Sequence, residues 1–371
     1  MRLILLLFIS TTVTSLNILI TTTDSWVSKN TRLLYSSLKE KHNVKLIAPL
    51  YQYNLEKNNI PLFSNKLAKD GGEYGHLLSV HQTYFHNLRS INSKRAKGVK
   101  FEQDESQSES ESSTQDIVQS NQFGQDPLDK NCWYVDSNPF NSLQIGLDVI
   151  LPNYYPDFKP DLTIIGPNEG LQNQQIINKM IHSTITNNNI STIAFSTEDE
   201  HHIYYQDENY FHISSNSIHQ LMKHNVFTKN IKFINKEIGR IIDNLSNKGV
   251  IGLDFKFPSF NHFNSHCITS NSLQLKMQEF FSTLNIPNTK FNFKTEREGQ
   301  TIKIVDVEHT QGEAGPEIVD MFTSKKQQLL KRMTNLDVDK GLINCNLIAV
   351  IGLTGHKSFR HVYLGKKRIV V

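Results

Sequence analysis

Pro160-Asp161-Leu162-Thr163-Ile164-Ile165-Gly166-Pro167-Asn168-Glu169-Gly170 sets the reading of this chain. Leu162 to Ile165 is a short, β-branched apolar run, as a strand buried on both faces requires. Turn-forming residues follow at once, and Asn168 and Glu169 carry amide and carboxylate oxygens into that turn. The stretch therefore describes a core strand whose carboxyl end opens into an oxygen-rich loop. Downstream, Ile176, Ile177, Met180, Ile181 and Ile185 recur at helical spacing, and Ser191-Thr192-Ile193-Ala194-Phe195-Ser196 is the next strand. Ile231, Ile234, Ile238, Ile241, Ile242 and Leu245 mark an amphipathic helix that leads into a strand over Val250–Phe257.

The upstream half has the same grammar. Asn17-Ile18-Leu19-Ile20-Thr21 is a buried strand that ends in the polar turn Thr22-Thr23-Asp24-Ser25. Leu33, Leu34 and Leu38 imply a helix, and Val44-Lys45-Leu46-Ile47-Ala48-Pro49 a second strand stopped by proline. Strand–helix alternation of this kind predicts an α/β fold: a three-layer αβα sandwich with a mostly parallel, Rossmann-like sheet, plus a C-terminal extension. Trp26 and Trp133 are read as core aromatics.

Composition narrows the classes. The 371 residues are 38% hydrophobic and 20% charged, enough to bury a large core. Lys+Arg total 39 against Asp+Glu 36, a net charge of +3, which argues against a nucleic-acid polymer or a polybasic membrane surface as partner. Three cysteines, Cys132, Cys267 and Cys345, cannot make a disulfide framework. At the N-terminus, Arg2, the apolar run Leu3–Ile9 and the small-residue stretch Ser10–Ser15 have the layout of a signal peptide. This predicts a secretory-route protein, secreted or lumenal, with no membrane attachment after signal removal. Asn189-Ile190-Ser191 and Asn244-Leu245-Ser246 are glycosylation acceptors that suit that compartment.

Ser93 to Lys100 is basic, and Glu102 to Gln125 is almost entirely Glu, Asp, Ser and Gln. Such a segment buries too little apolar surface to offset chain entropy and reads as a disordered insertion, with Lys94-Arg95 a candidate dibasic processing site. The expected organisation is a signal peptide over 1–15, one α/β domain over 16–355 with the insertion at about 94–130, and a tail over 356–371.

In an open parallel sheet, ligands bind beyond the carboxyl ends of the strands, where strand order reverses. Thr23-Asp24, the loop running to Asn54, and Gly166–Gly170 all end strands with oxygen-bearing residues, a donor chemistry suited to Mg²⁺ or Mn²⁺. A zinc reading of His262-Phe263-Asn264-Ser265-His266-Cys267 lacks an evident fourth ligand, and ordinary surface or core histidines explain it more cheaply.

Taken in order, these segments resemble the SurE-like phosphatase/nucleotidase family. Asn17–Trp26 looks like the family's opening strand and its Thr-Asn-Asp-Asp-Gly-Trp turn. Leu46–Pro49 looks like the strand before its Ser-Gly loop. Tyr134–Pro139 with Ile145–Leu147 resembles its Val-x-Gly-Thr-Pro segment. Pro160–Gly170 matches Pro-Asp-Leu-Val-x-Ser-Gly-x-Asn-x-Gly, and Lys248–Pro258 resembles its Gly-x-x-Leu-Asn-Val-Asn-x-Pro strand.

The resemblance implies a divalent-metal phosphomonoesterase acting on nucleotides or other small phosphate esters, and a homo-oligomer. Carried over by position, the metal ligands are Asp24, Asn168, Thr23 (where the family has its first Asp) and Asn54 (where it has Ser). Asp24 and Asn168 take the catalytic positions, and Ser25, Gly166 and Gly170 the substrate-binding ones. The family's glycine-rich Ser-Gly-Thr phosphate loop is absent, since no glycine occurs from Leu171 to Ile193. Replacing one carboxylate by Thr23 removes about 4 kcal/mol of gross attraction for each unit charge at ~4 Å and an effective dielectric near 20. That predicts a weakly held metal. It also leaves a second reading open, a lapsed family member that keeps the fold as a binding or structural module.

Overall fold

The computed structural model describes residues 15–53, 118, 120–126, 129–200, 205, 218–244, 252–260, 274–279, 289–311, 346–351, 361–364 and 367–370. Residues 1–14, most of the stretch over 1–15 that the sequence predicts to be a signal peptide, together with Asn54, Lys94-Arg95, the histidine cluster at 262–266, Cys267 and Cys345, lie outside the described residues.

The opening unit is β1 (Asn17–Thr21), α1 (Lys29–Lys39) and β2 (Asn43–Pro49). After the insertion come β3 (Phe123–Gln125) and β4 (Cys132–Val135). Next is α2 (Pro139–Ile145), which widens through a π turn at Gly146–Ile150 into α3 (Leu151–Tyr154). Then β5 (Leu162–Glu169), α4 (Gln174–Asn188), β6 (Ser191–Thr197), α5 (Ile218–Asn244) and β7 (Gly252–Phe257) alternate. The C-terminal third adds β8 (Gln274–Glu279), β9 (Thr289–Glu298), β10 (Thr301–Gln311), β11 (Asn346–Ile351), β12 (His361–Leu364) and β13 (Lys367–Val370).

The main sheet has nine strands in the order β3-β4-β2-β1-β5-β6-β7-β11-β8. From β4 to β7 every neighbouring pair is parallel. β3 runs antiparallel on one edge and β11 antiparallel to β7 on the other. The chain builds outward from β1 first toward β4 and then, starting at β5, the opposite way. The strand order therefore reverses between β1 and β5, the place where open parallel sheets bind their ligands, beyond the carboxyl ends of the strands.

Alternation within the strands assigns the two cores. Ile18, Ile20, Ile164, Ile193, Phe195 and Leu253 face α1 and α5, where they meet Leu34, Leu38, Ile234, Ile238 and Ile242. Leu19, Ile47, Ile165 and Ala194 face the other way and meet Phe140, Leu143, Ile177, Met180 and Ile181. Trp26 and Trp133 are both fully buried, as expected of core aromatics. The antiparallel β9–β10 hairpin lays Ile302, Ile304, Phe291 and Phe293 against the second core, and the Ile302 N–H donates to Tyr154 Oη at 2.9 Å.

One short stretch differs from the sequence reading. Phe123–Gln125, which the sequence reading places inside the insertion, forms the edge strand β3, with Phe123 fully buried against Trp133. One aromatic in a polar run was enough to pair an edge. The expected C-terminal extension includes the antiparallel pair β12–β13.

Candidate active site at the strand-order reversal

The reversal point brings together the polar ends of β1 and β5. The Asn168 Oδ1 accepts from the Thr23 N–H at 2.8 Å, from the Thr22 hydroxyl at 3.0 Å and from the Thr23 hydroxyl at 3.1 Å. Its Nδ2 donates to the carbonyls of Phe195 at 3.0 Å and Ile165 at 3.3 Å. Asn168 is fully buried, so each of its amide atoms needs such a partner. The Asp24 Oδ2 accepts from the Glu169 N–H at 3.0 Å, and the Asp24 N–H donates to the Thr22 hydroxyl at 3.1 Å. Asp24 and Glu169 are 3% and 2% exposed, so two buried acidic residues adjoin where β1 and β5 end.

Backbone geometry at the end of β5 makes this approach. Gly166 has φ +111°, and a Cβ there would stand 2.3 Å from the Phe195 carbonyl. Only glycine lets β5 bulge this close to β6, where the pairing shifts between Ile165 and Asn168. Gly170 has φ +76°, and its N–H donates to the Asp199 carbonyl at 3.4 Å.

Ser25 is buried, and its hydroxyl accepts from the Val27 N–H at 3.3 Å, shaping the entry to α1. Asp199 ties the end of β6 to the segment after β7: its carboxylate accepts from the Phe260 N–H at 2.8 Å and from the Ser259 hydroxyl.

The segment after β5 is tied to β1 and β7 at the start of α4. Asn173, just before the helix, donates from Nδ2 to the Thr23 hydroxyl at 3.4 Å instead of capping its own helix. Its Oδ1 is buried and makes no hydrogen bond. The next residue, Gln174, donates from Nε2 to the Asp254 Oδ2 on β7 at 2.6 Å. Two consecutive residues thus pin the N-terminus of α4 between the end of β1 and β7. That end presents unsatisfied N–H groups and the positive end of the helix dipole. Asp254 is buried, which raises its pKa; Lys256 and the bond from Gln174 offset the rise only in part.

The residues predicted from sequence divide clearly. Thr23, Asp24, Ser25, Asn168, Gly166 and Gly170 all lie at or just beyond the adjoining ends of β1 and β5. Asn189 is exposed in the left-handed conformation (φ 55°) that ends α4, and Asn244 is the last residue of α5. The sequence reading did not single out Thr22, Glu169, Asn173, Gln174 or Asp199 as site residues. Asn173 and Gln174 sit in an Asn/Gln-rich stretch with no periodic or motif signal, and only the placement of α4 reveals them. Among the described residues no helix is long and apolar enough to cross a membrane.

The molecule is a doubly wound α/β protein with buried oxygen-bearing side chains gathered at its strand-order reversal. The family model described as "Survival protein SurE" matches residues 18–294, and the chain belongs to that family. It is 26% identical over 218 residues to an acid phosphatase of Yarrowia lipolytica (strain CLIB 122 / E 150), a match covering 57% of this chain and 48% of that protein. The chain thus matches about half the length of that relative. Among solved structures it is similar to the SurE protein of Aquifex aeolicus, at 14% identity and a TM-score of 0.37, over 92% of this chain and 96% of that one.

Proposed function

We propose that the chain is a divalent-metal-dependent phosphomonoester hydrolase of the acid phosphatase or 5′-nucleotidase type, acting on nucleotides or other small phosphate esters. The observation that supports this reading is the bonding of the β1 end to the β5 end at the strand-order reversal, where Asn168 Oδ1 accepts from Thr22 and Thr23 and the Glu169 N–H reaches the Asp24 carboxylate at 3.0 Å. Family membership and the relative named acid phosphatase support hydrolysis over the lapsed reading.

The donor set fits Mg²⁺ or Mn²⁺. Asp24 and Asn168 would hold the ion with the Thr23 hydroxyl and, as the sequence reading has it, Asn54. The three donors on Asn168 Oδ1 do not forbid this, because two are hydroxyls that rotate without moving the backbone and so release a lone pair. The buried Asn173 Oδ1, which accepts no hydrogen bond, is a further oxygen beside Thr23. When bound, the ion polarises the phosphoryl group and lowers the pKa of a coordinated water.

The chain's own residues do the rest. The N-terminus of α4 favours the phosphate dianion. Thr23 and Asn173 hold that helix end against β1, and Asp24 fixes the β5 loop through the Glu169 N–H. Ser25, Gly166 and Gly170 shape the backbone that a substrate meets. Secretion after removal of residues 1–15, glycans at Asn189 and Asn244, and a homo-oligomeric state complete the proposal.

The test is hydrolysis of p-nitrophenyl phosphate and nucleoside 5′-monophosphates by the mature chain with Mg²⁺, Mn²⁺ or EDTA, in wild type and Asp24→Ala. Metal-dependent turnover that the substitution abolishes is the expected result. Equal residual rates in the two proteins overturn the reading.

A further inference from the structure

The missing Ser-Gly-Thr loop leaves the phosphate of the proposed substrate without its usual hydroxyl and N–H donors. We propose that Lys256 on β7, Ser196 on β6 and the first turn of α4 form a replacement phosphate cradle. The inference rests on the hydrolase reading above and names the residues that bind its substrate's phosphate.

The sheet register places the group. Asn168, Ser196 and Lys256 are direct neighbours across β5, β6 and β7. Ser196 lies two residues beyond Ala194, and Lys256 two beyond Asp254, so their side chains share the face on which Asp254 meets Gln174 of α4. Both therefore stand beneath the helix end that Asn173 links to Thr23. Two strand spacings of about 4.8 Å each separate Lys256 from Asn168, a gap that a lysine stem and a phosphate fill together.

The chemistry of the row calls for an anion. The Ser196 hydroxyl is fully buried and makes no hydrogen bond, a state that costs stability unless a ligand completes it. The Lys256 side chain is only 13% exposed, yet its nearest carboxylate oxygen, Asp254 Oδ2, stands 4.0 Å away, beyond hydrogen-bond reach. Among the described residues the Lys256 ammonium makes no hydrogen bond. Burial raises the Asp254 pKa, which eases the charge conflict when a phosphate sits nearby. An ammonium, a hydroxyl and helix N–H groups on one face of the sheet are the kinds of donor that bind phosphate elsewhere.

The experiment measures inorganic phosphate binding by calorimetry, and KM and kcat for p-nitrophenyl phosphate, in wild type, Lys256→Met, Lys256→Arg and Lys256→Met/Asp254→Asn. Lys256→Met should weaken phosphate binding and raise KM by about ten- to a hundredfold, the loss of one charge-assisted hydrogen bond. Lys256→Arg should retain most of the affinity. The double variant has no unpaired buried charge, so it separates folding from binding and should bind phosphate as poorly as the single one. Recovery of affinity in the double variant would show that Lys256 merely neutralises Asp254 and would overturn the proposal. Phosphate affinity unchanged in Lys256→Met, or absent in wild type, would also overturn it. Lys256-dependent phosphate binding without turnover would uphold the cradle and sink the hydrolase reading. Turnover with KM unmoved by Lys256→Met would do the reverse.

Discussion

Thr23 and Asn168 are joined twice: the Thr23 N–H lies 2.8 Å and its hydroxyl 3.1 Å from the same Asn168 Oδ1. That one oxygen ties β1 to β5 at the point where the sheet reverses its order. Asn168→Ala strands the Thr23 N–H inside the protein, whereas the Thr22 and Thr23 hydroxyls can turn to other acceptors. A buried donor left without a partner costs about 1–3 kcal/mol. Urea unfolding of Asn168→Ala should show a loss in that range with an unchanged m-value. A variant as stable as wild type would mean that the clamp contributes nothing.

Thr23→Asp rebuilds a pair of adjacent carboxylates with Asp24. At ~4 Å and an effective dielectric near 20 a unit charge pair is worth about 4 kcal/mol gross, and desolvation removes part of that. Mn²⁺ affinity, read by calorimetry or from the free-ion resonance signal, should rise about tenfold or more. The metal-free variant should be less stable than wild type, because two buried carboxylates then repel and the Thr23 hydroxyl no longer satisfies Asn168. Tighter Mn²⁺ binding without that penalty, or the penalty without tighter binding, would contradict the ligand assignment.

Arg32 holds α1 to the β3 edge. Its Nη2 meets the Asp126 Oδ2 at 2.8 Å, and its guanidinium lies 4.0 Å from the Tyr205 ring centroid. Both charges are buried, so removing one leaves the other unpaired, at a cost of about 3–5 kcal/mol. Arg32→Met should show that loss in urea unfolding. Arg32→Met/Asp126→Asn should recover much of it, since an apolar and neutral pair avoids the stranded charge. Additive losses in the double variant would show that the ion pair is not the reason.

The fold could be read wherever apolar residues were periodic. Ile18–Ile20, Leu46–Ala48, Leu162–Ile165 and Ile193–Phe195 announced β1, β2, β5 and β6 because strands covered on both faces must be nearly all apolar. The edges escaped, because β3 needs only three residues and one buried ring to pair. At the site, Thr23, Asp24 and Asn168 were legible because strand-end polar turns follow from the topology itself. Asn173, Gln174, Ser196 and Lys256 were not. Their roles depend on where α4 comes to rest, and Asn173 reaches Thr23 across 150 positions of chain. No local spacing encodes a contact of that kind.

Asp254, buried on β7 against Gln174, gives the fold a pH signature with a definite sign. Burial favours its neutral form, so its folded-state pKa lies above the ordinary carboxylate value of 3.8. The folded protein then binds this proton more readily than the unfolded chain does. Stability from this group is present below the unfolded pKa and is lost as pH rises through the folded one. Asp254→Asn removes the titration while keeping an oxygen for the Gln174 Nε2 bond. Unfolding free energies of the two proteins, measured from mildly acid to neutral pH, should therefore diverge. Wild type should gain stability on Asp254→Asn as the solution is acidified, since every other titrating group cancels in the difference. A difference independent of pH would show that Lys256 and Gln174 fully offset the burial. A difference of the opposite slope would mean that the carboxylate is the form the fold prefers, with Lys256 bound to it as an ion pair and withheld from any phosphate.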